Sequence, residues 1–298
     1  MSDEKVIVFG GSGFIGSHIA DALTNSGYKV SIFDKVKSPF LRDDQIMIEG
    51  DIMDRAAVND AVKDSKYVYN FAGLADLDAA RNKPVEAATL NVVGNVHVLD
   101  AAAAANVDRF IYASTVYVYS ESGSFYRASK QSAEHFVESY HERYDLNYTI
   151  LRYGSLYGPR SDRSNNIYLL LKEALEEKTI SYKGDGEALR DYIHVEDAAR
   201  LSVKILDEEF ANRHMILTGQ ERFKMKDLMQ MIAEIVAKQA GPVELKFGAN
   251  QVPGHYLMTP YSFNPKPGHK LVSNDYVDMG QGLIECLSEI VGELEKSE

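Results

Sequence analysis

One cysteine, Cys286, and no tryptophan stand in a chain of 298 residues. The lone thiol excludes an internal disulfide and any multi-cysteine metal site. Cations are scarce too. Lys and Arg number 32 against 44 Asp and Glu, a net charge of −12 that argues against a nucleic-acid binder. A small anion at a helix N-terminus remains possible at that charge. No apolar run reaches the length of a membrane span. The opening MSDEKVIVFGG lacks the basic start and long apolar stretch of a signal peptide, so a cytoplasmic location is expected. The eight histidines show no HExxH or comparable spacing, so no metal is expected. Solenoid repeats and low-complexity linkers are also missing. What remains is 45% apolar, enough for a sizeable core, in a length that suggests one large domain and a smaller one.

The first 153 residues alternate short β-branched or aromatic runs with helical stretches. Strands are expected at Val6–Phe9, Val30–Phe33, Ile46–Ile48, Tyr67–Phe71, Phe110–Ala113 and Tyr148–Leu151. Helices are expected at Phe14–Asn25, Arg55–Val62, Val85–Ala105 and Tyr126–Tyr144. Apolar runs without period-two alternation predict an α/β fold, a parallel sheet covered on both faces. After Gly158 the pattern loosens, with helices expected at Asn166–Glu177, Val195–Glu208 and Met225–Lys238 and strands at Ile180–Tyr182 and Met215–Leu217. Residues 241–270 carry most of the late Gly and Pro and read as a long loop region. Leu283, Leu287, Ile290, Val291 and Leu294 then recur at helical spacing.

Val6–Phe9 runs into Gly10-Gly11-Ser12-Gly13-Phe14-Ile15-Gly16, which opens a helix. Glycines there let the backbone approach a pyrophosphate, and the helix N-terminus offers unpaired N–H groups. The next strand ends in Asp34, an acceptor for ribose hydroxyls that repels a 2′-phosphate. The cofactor is therefore expected to be NAD rather than NADP, although Lys35 and Lys37 work against that preference.

The strand ending in Ser114-Thr115 is followed by Tyr126 and Lys130, four apart and hence on one helical face. A nearby ammonium would lower the tyrosine pKa and make it a general base. Tyr168 and Lys172 repeat the spacing among leucines, without a strand end before them, and read as a packed helix.

Together Gly10–Gly16, Asp34, Asp51-Ile52, Phe71-Ala72-Gly73, Asn91, Ser114-Thr115, Tyr126/Lys130 and Arg190–Val195 resemble the extended short-chain dehydrogenase/reductase family of nucleotide-sugar epimerases and dehydratases. The resemblance runs to about residue 220. It implies a doubly wound (Rossmann) NAD domain of residues 1–153 with 191–218, and a smaller α/β substrate domain of 154–190 and 219–298. Carried over, Gly10, Gly13 and Gly16 face the pyrophosphate, with Phe14 and Ile15 in the same turn. Asp34 takes the adenosine ribose beside Lys35, and Asp51 and Ile52 the adenine. Phe71, Ala72, Gly73 and Asn91 complete the cofactor set. Thr115, Tyr126 and Lys130 form the catalytic set, with Thr115 on the sugar hydroxyl and Lys130 on the nicotinamide ribose. Arg190 contacts the diphosphate, and Ser155 and Arg160 join the substrate candidates. A homodimer or higher homo-oligomer is implied through helices like Val85–Ala105 and Tyr126–Tyr144.

Three departures stand out. The loop between Thr115 and Tyr126 is cut to Val116–Phe125, leaving a sugar pocket that is either open or completed by other elements. Ser155 replaces a frequent Asn, and Val116-Tyr117 replaces the acidic residues of dehydratases and decarboxylases. The leading reading is redox chemistry at C4 of a nucleotide-sugar, ending in epimerisation. A C4 dehydrogenase or 4-keto reductase shares every residue named, and a non-catalytic NAD-binding regulator is the alternative of another class.

Overall fold

The computed structural model describes residues 4–249, 252 and 254–263. The strands are β1 (Lys5–Phe9), β2 (Lys29–Asp34), β3 (Ile46–Glu49), β4 (Tyr67–Asn70), β5 (Arg109–Thr115), β6 (Tyr148–Tyr153), β7 (Ser155–Tyr157), β8 (Thr179–Tyr182), β9 (Leu189–His194), β10 (Arg213–Leu217), β11 (Arg222–Lys224) and β12 (Glu244–Phe247). The helices are α1 (Phe14–Asn25), α2 (Arg55–Val62), α3 (Leu77–Asn82), α4 (Pro84–Ala88), α5 (Asn95–Ala104), α6 (Ser124–Tyr144), α7 (Asn166–Glu177), α8 (Val195–Lys204) and α9 (Met225–Ala240).

Seven strands form one sheet in the order β10-β6-β5-β4-β1-β2-β3, and each neighbouring pair is parallel. Both faces are buried, as the continuous apolar runs require. Ile7 and Phe9 enter the core on one side with Phe33, Phe110 and Ile150, while Val6 and Val8 enter the other with Ile32, Tyr69 and Leu151. Chain order reverses between β1 and β4, which leaves a crevice at the carboxyl ends of those strands, where ligands of such sheets bind.

The expected helix Val85–Ala105 is instead α4 and α5 joined by a π-helical turn, Thr89–Gly94. The wide turn buries Asn91 at 1% exposure and sets Gly94 against Ile52. Residues 241–270 are not wholly loop, because β12 pairs with β8. A small sheet, β11-β9-β7, also went unannounced by the pattern. A third core joins Leu170 and Ala174 of α7, Ile180 of β8 and Met229, Ile232 and Val236 of α9. Residues up to Phe263 group as one compact unit. The apolar positions Leu283–Leu294, Cys286, Lys266, His269 and Lys270 lie outside the described residues. Among the described residues, no helix is long and apolar enough to cross a membrane.

Candidate active site

The turn after β1 closes against the end of β4. Gly10 has φ +74°, and a Cβ there would lie 2.6 Å from the backbone of Phe71 and Ala72. A Cβ at Gly16 would sit 2.2 Å from the Gly10 carbonyl oxygen. At Gly13 it would meet only that oxygen, at 3.3 Å. Gly10 and Gly16 thus hold strand, turn and helix together, and Gly13 faces open space. The N-terminus of α1 has no side-chain cap and no acidic residue in its first turn, so its N–H groups and dipole remain available to a phosphate.

Asp34 accepts the Ser12 N–H at 3.1 Å and the Val36 N–H at 3.3 Å, one on each carboxylate oxygen. Each oxygen keeps lone-pair capacity for a ribose hydroxyl. Lys35 pairs with Asp51 at 3.1 Å, which occupies the cation that would favour a 2′-phosphate. The Met53 N–H and then Lys35 hold the Asp51 carboxyl below its ordinary range, although partial burial opposes them. A groove of about 570 Å³ opens between Lys35 and the α4 end of the chain at Pro84, Thr89 and Leu90. Ile52 is buried in the core instead of lining that space, with its side chain against Gly94. Asn91 braces the loop after β4. It accepts the Leu74 N–H at 2.7 Å, donates to the Leu74 carbonyl at 3.1 Å and reaches Ser129 at 2.9 Å. Its side chain closes over Gly73, where a Cβ would lie 2.4 Å away. The uncapped helix, the glycine cradle and the free acceptor at Asp34 fit a dinucleotide.

Across the crevice, Thr115 ends β5 and Tyr126 and Lys130 project from the first turns of α6. The Thr115 hydroxyl beside Tyr126 favours its phenolate, but burial outweighs this and pushes the tyrosine up to about 12. The Lys130 ammonium donates to the Ala113 carbonyl at 2.8 Å and lies 4.9 Å over the Tyr112 ring. Burial brings Lys130 down to about 8, against the opposing charge of Glu134.

The shortened loop Val116–Phe125 is covered by the chain at 254–263. The Gly123 N–H donates to the Gly254 carbonyl at 3.1 Å. Tyr117 bonds His255 through its hydroxyl at 3.0 Å and packs on Tyr256 with ring centroids 4.6 Å apart. The strap continues along β9, where the Leu189 N–H meets the Leu257 carbonyl at 2.7 Å and the Asp191 N–H meets Thr259 at 3.0 Å. No local pattern announces this strap; its partners are remote in sequence.

Arg190 is 7% exposed, stacks at 4.2 Å over Tyr256 and has no carboxylate partner among the described residues. A buried cation without a counter-charge is costly and suits an anionic ligand. Arg160 does not join it. Its guanidinium pairs with Asp21 of α1 at 2.7 Å and covers Phe40 at 4.6 Å, a structural tie rather than a substrate contact. Ser155 heads β7, half-buried beside Tyr192 of β9. His194 caps α8 by accepting the Glu196 N–H at 3.4 Å. Lys172 pairs with Glu176 on the surface of α7, whose Leu170 and Ala174 pack into the third core, so the second Tyr–Lys spacing belongs to a packed helix.

The profile of the NAD dependent epimerase/dehydratase family matches residues 6–217. The chain belongs to that family. Among relatives of this epimerase/dehydratase chain, the Low-salt glycan biosynthesis protein Agl12 of Haloferax volcanii is 32% identical, over 80% of this chain and 84% of its own. The UDP-glucose 4-epimerase of Corynebacterium glutamicum is 29% identical over 78% of this chain and 80% of its own. The crystal structure of a UDP-glucuronic acid 4-epimerase from Bacillus cereus, in complex with UDP-glucuronic acid and NAD, superposes with a TM-score of 0.78. That structure is 27% identical and covers 86% of this chain and 89% of its own. The family's cofactor is NAD, in keeping with the acceptor at Asp34 and the Lys35–Asp51 pair.

Proposed function

We propose that this protein is an NAD-dependent C4 epimerase of a nucleotide-sugar. The observation that carries the reading is the meeting of Thr115 at the end of β5 with Tyr126 and Lys130 of α6, at the same carboxyl edge of the parallel sheet as the glycine turn after β1. Bound NAD supplies the hydride acceptor and a positive charge in this buried space. The protein holds the C4 hydroxyl on Thr115 and takes its proton with Tyr126, whose ordinary ionisation burial suppresses in the protein alone. With NAD bound, moving the hydride from C4 and back would be the cofactor's chemistry; Tyr126 would return the proton to the C4 oxygen, and Lys130 would hold the nicotinamide ribose.

The described residues of 154–190 and 219–263 are assigned to the nucleotide-sugar, with Arg190 of β9 as the diphosphate anchor and Ser155 paired with Tyr192 of that same strand. The strap over Tyr117 closes the sugar pocket. A homodimer is supported by apolar side chains left exposed on α6, Phe125 at 47% and Phe136 at 42%, and by Val93 at 45% on the π turn that packs against α6. The composition and the lack of a spanning helix among the described residues accord with a cytoplasmic location.

The test is incubation of purified protein with a panel of UDP-, dTDP-, GDP- and CDP-sugars, following reduced-cofactor absorbance and product mass together. Epimerisation gives a product of unchanged mass. A product lighter by two hydrogens with net cofactor reduction would instead identify a C4 dehydrogenase.

A further inference from the structure

Behind the catalytic set, α6 carries Tyr126, Lys130, Glu134 and Glu138 at successive intervals of four, so they share one face. Glu134 is 4% exposed. Both of its oxygens receive Arg152 of β6, Nε at 3.0 Å and Nη2 at 2.6 Å. Ser114 donates to the same carboxylate at 2.5 Å. Ser114 lies between Ala113, whose carbonyl holds Lys130, and Thr115, which stands beside Tyr126. One carboxylate therefore fixes the strand residue between the two neighbours of the catalytic pair.

The other groups around Lys130 leave Glu134 without a rival. On β5 it faces the neutral Tyr112 ring, and on its own helix Tyr126. Arg152 lies beyond Glu134, bonded also to Tyr119 at 2.5 Å and to His214 of β10 at 2.7 Å. His214 passes its other ring nitrogen to Glu138 at 3.1 Å, and burial, then Arg152, keeps the imidazole below its ordinary pKa. Burial pulls Lys130 towards the neutral amine, and the charge of Glu134 opposes it.

We propose that Glu134 is a positioning residue for the catalytic pair: it clamps the end of β5 through Ser114, and its charge keeps Lys130 an ammonium. The inference rests on the assignment of Thr115, Tyr126 and Lys130 as the catalytic set, but its test does not need turnover. Protein labelled with ¹³C at the lysine ε-carbon is titrated by NMR, and the Lys130 resonance is assigned by its loss in Lys130→Arg. In Glu134→Gln the Lys130 midpoint should fall by at least about one pH unit, the effect of removing a nearby opposite charge. Glu134→Asp keeps the charge and should leave the midpoint near that of the unsubstituted protein. Ser114→Ala cuts the clamp without touching a charge and should also leave it.

Should Glu134→Gln not fold, because Arg152 is left buried and unpaired, the double variant Glu134→Gln/Arg152→Gln removes both charges and should show the same fall. An unchanged midpoint in the folded Gln variants overturns the proposal. So does an equal fall in Ser114→Ala, which would reflect loosened packing rather than charge. With UDP-glucose as the probe, Glu134→Asp and Ser114→Ala should lower kcat more than they raise KM. Absence of turnover in the unsubstituted protein with every sugar of the panel would count against the proposed function and leave the Lys130 midpoints decisive for Glu134.

Discussion

Replacing Gly16 and Gly13 separately by alanine should divide the turn's packing role from its ligand role. The Cβ of Gly16→Ala lies 2.2 Å from the Gly10 oxygen and 2.9 Å from the Gly11 Cα, both backbone atoms without a flexible end to swing away. Relief requires moving α1 off β1, an overpacking cost of about 1–3 kcal/mol. Alanine in a helix returns up to about 1 kcal/mol. The net loss is roughly 1–2 kcal/mol, and Tm should fall by about 2–4 °C per kcal/mol in a chain of this size. Gly13→Ala meets one oxygen at 3.3 Å, at φ −76°, and the fold should absorb it with little change in Tm. Its methyl instead projects into the space before the α1 N-terminus. NAD affinity by titration calorimetry should drop at least about tenfold, or 1.4 kcal/mol, because the pyrophosphate needs close backbone approach. Wild-type NAD affinity in a folded Gly13→Ala protein would refute this placement of the cofactor. An unchanged Tm in Gly16→Ala would refute the packing argument.

Tyr126→Phe keeps the half-buried ring and removes the ionisable oxygen beside Thr115, so turnover should fall at least about 10²-fold while calorimetry shows NAD binding largely kept. Tyr168→Phe, in the surface helix with the Lys172–Glu176 pair, should leave turnover nearly unchanged; the reverse order would relocate the active site. Asp34→Ala removes the acceptor at the end of β2 while Lys35 stays engaged by Asp51. NAD binding should weaken and the preference over NADP relax, and equal affinity of the unsubstituted protein for both cofactors would contradict the role given to Asp34.

Hydrophobic pattern made much of the sheet legible. Helices Phe14–Asn25, Arg55–Val62 and Asn166–Glu177 appear with the bounds their periodicity predicts. The first six strands were found to within a few residues, since their apolar runs are buried on both faces. The small sheet was not legible, because β9 buries Arg190 and Asp191 through specific partners: a Tyr256 ring for one, and Tyr261, Thr259 and Arg222 for the other. Local hydrophobicity does not encode such contacts. The π turn exists to bring Asn91 to Leu74, a contact seventeen residues away that helical periodicity does not register. The proposed catalytic set of Thr115, Tyr126 and Lys130 stood out by spacing, whereas the groups packed around it did not. The four-residue interval correctly put Tyr126 and Lys130 on one face, yet the Ala113 carbonyl decides where the ammonium goes. Glu134 and Arg152 read singly as ordinary charges, and only the packing of α6 on β5 and β6 makes them a buried pair.

The most direct test supplies a nucleotide-hexose carrying deuterium at C4 and follows product identity, mass and label together. An epimerase that removes and returns one hydride within the closed pocket yields the C4 isomer with unchanged mass and the deuterium retained. Val116 cannot transfer a proton and burial raises Tyr117 far above its ordinary pKa, so neither replaces a carboxyl group in eliminating water. A product lighter by one water or by carbon dioxide, or deuterium lost to net cofactor reduction, would contradict the account.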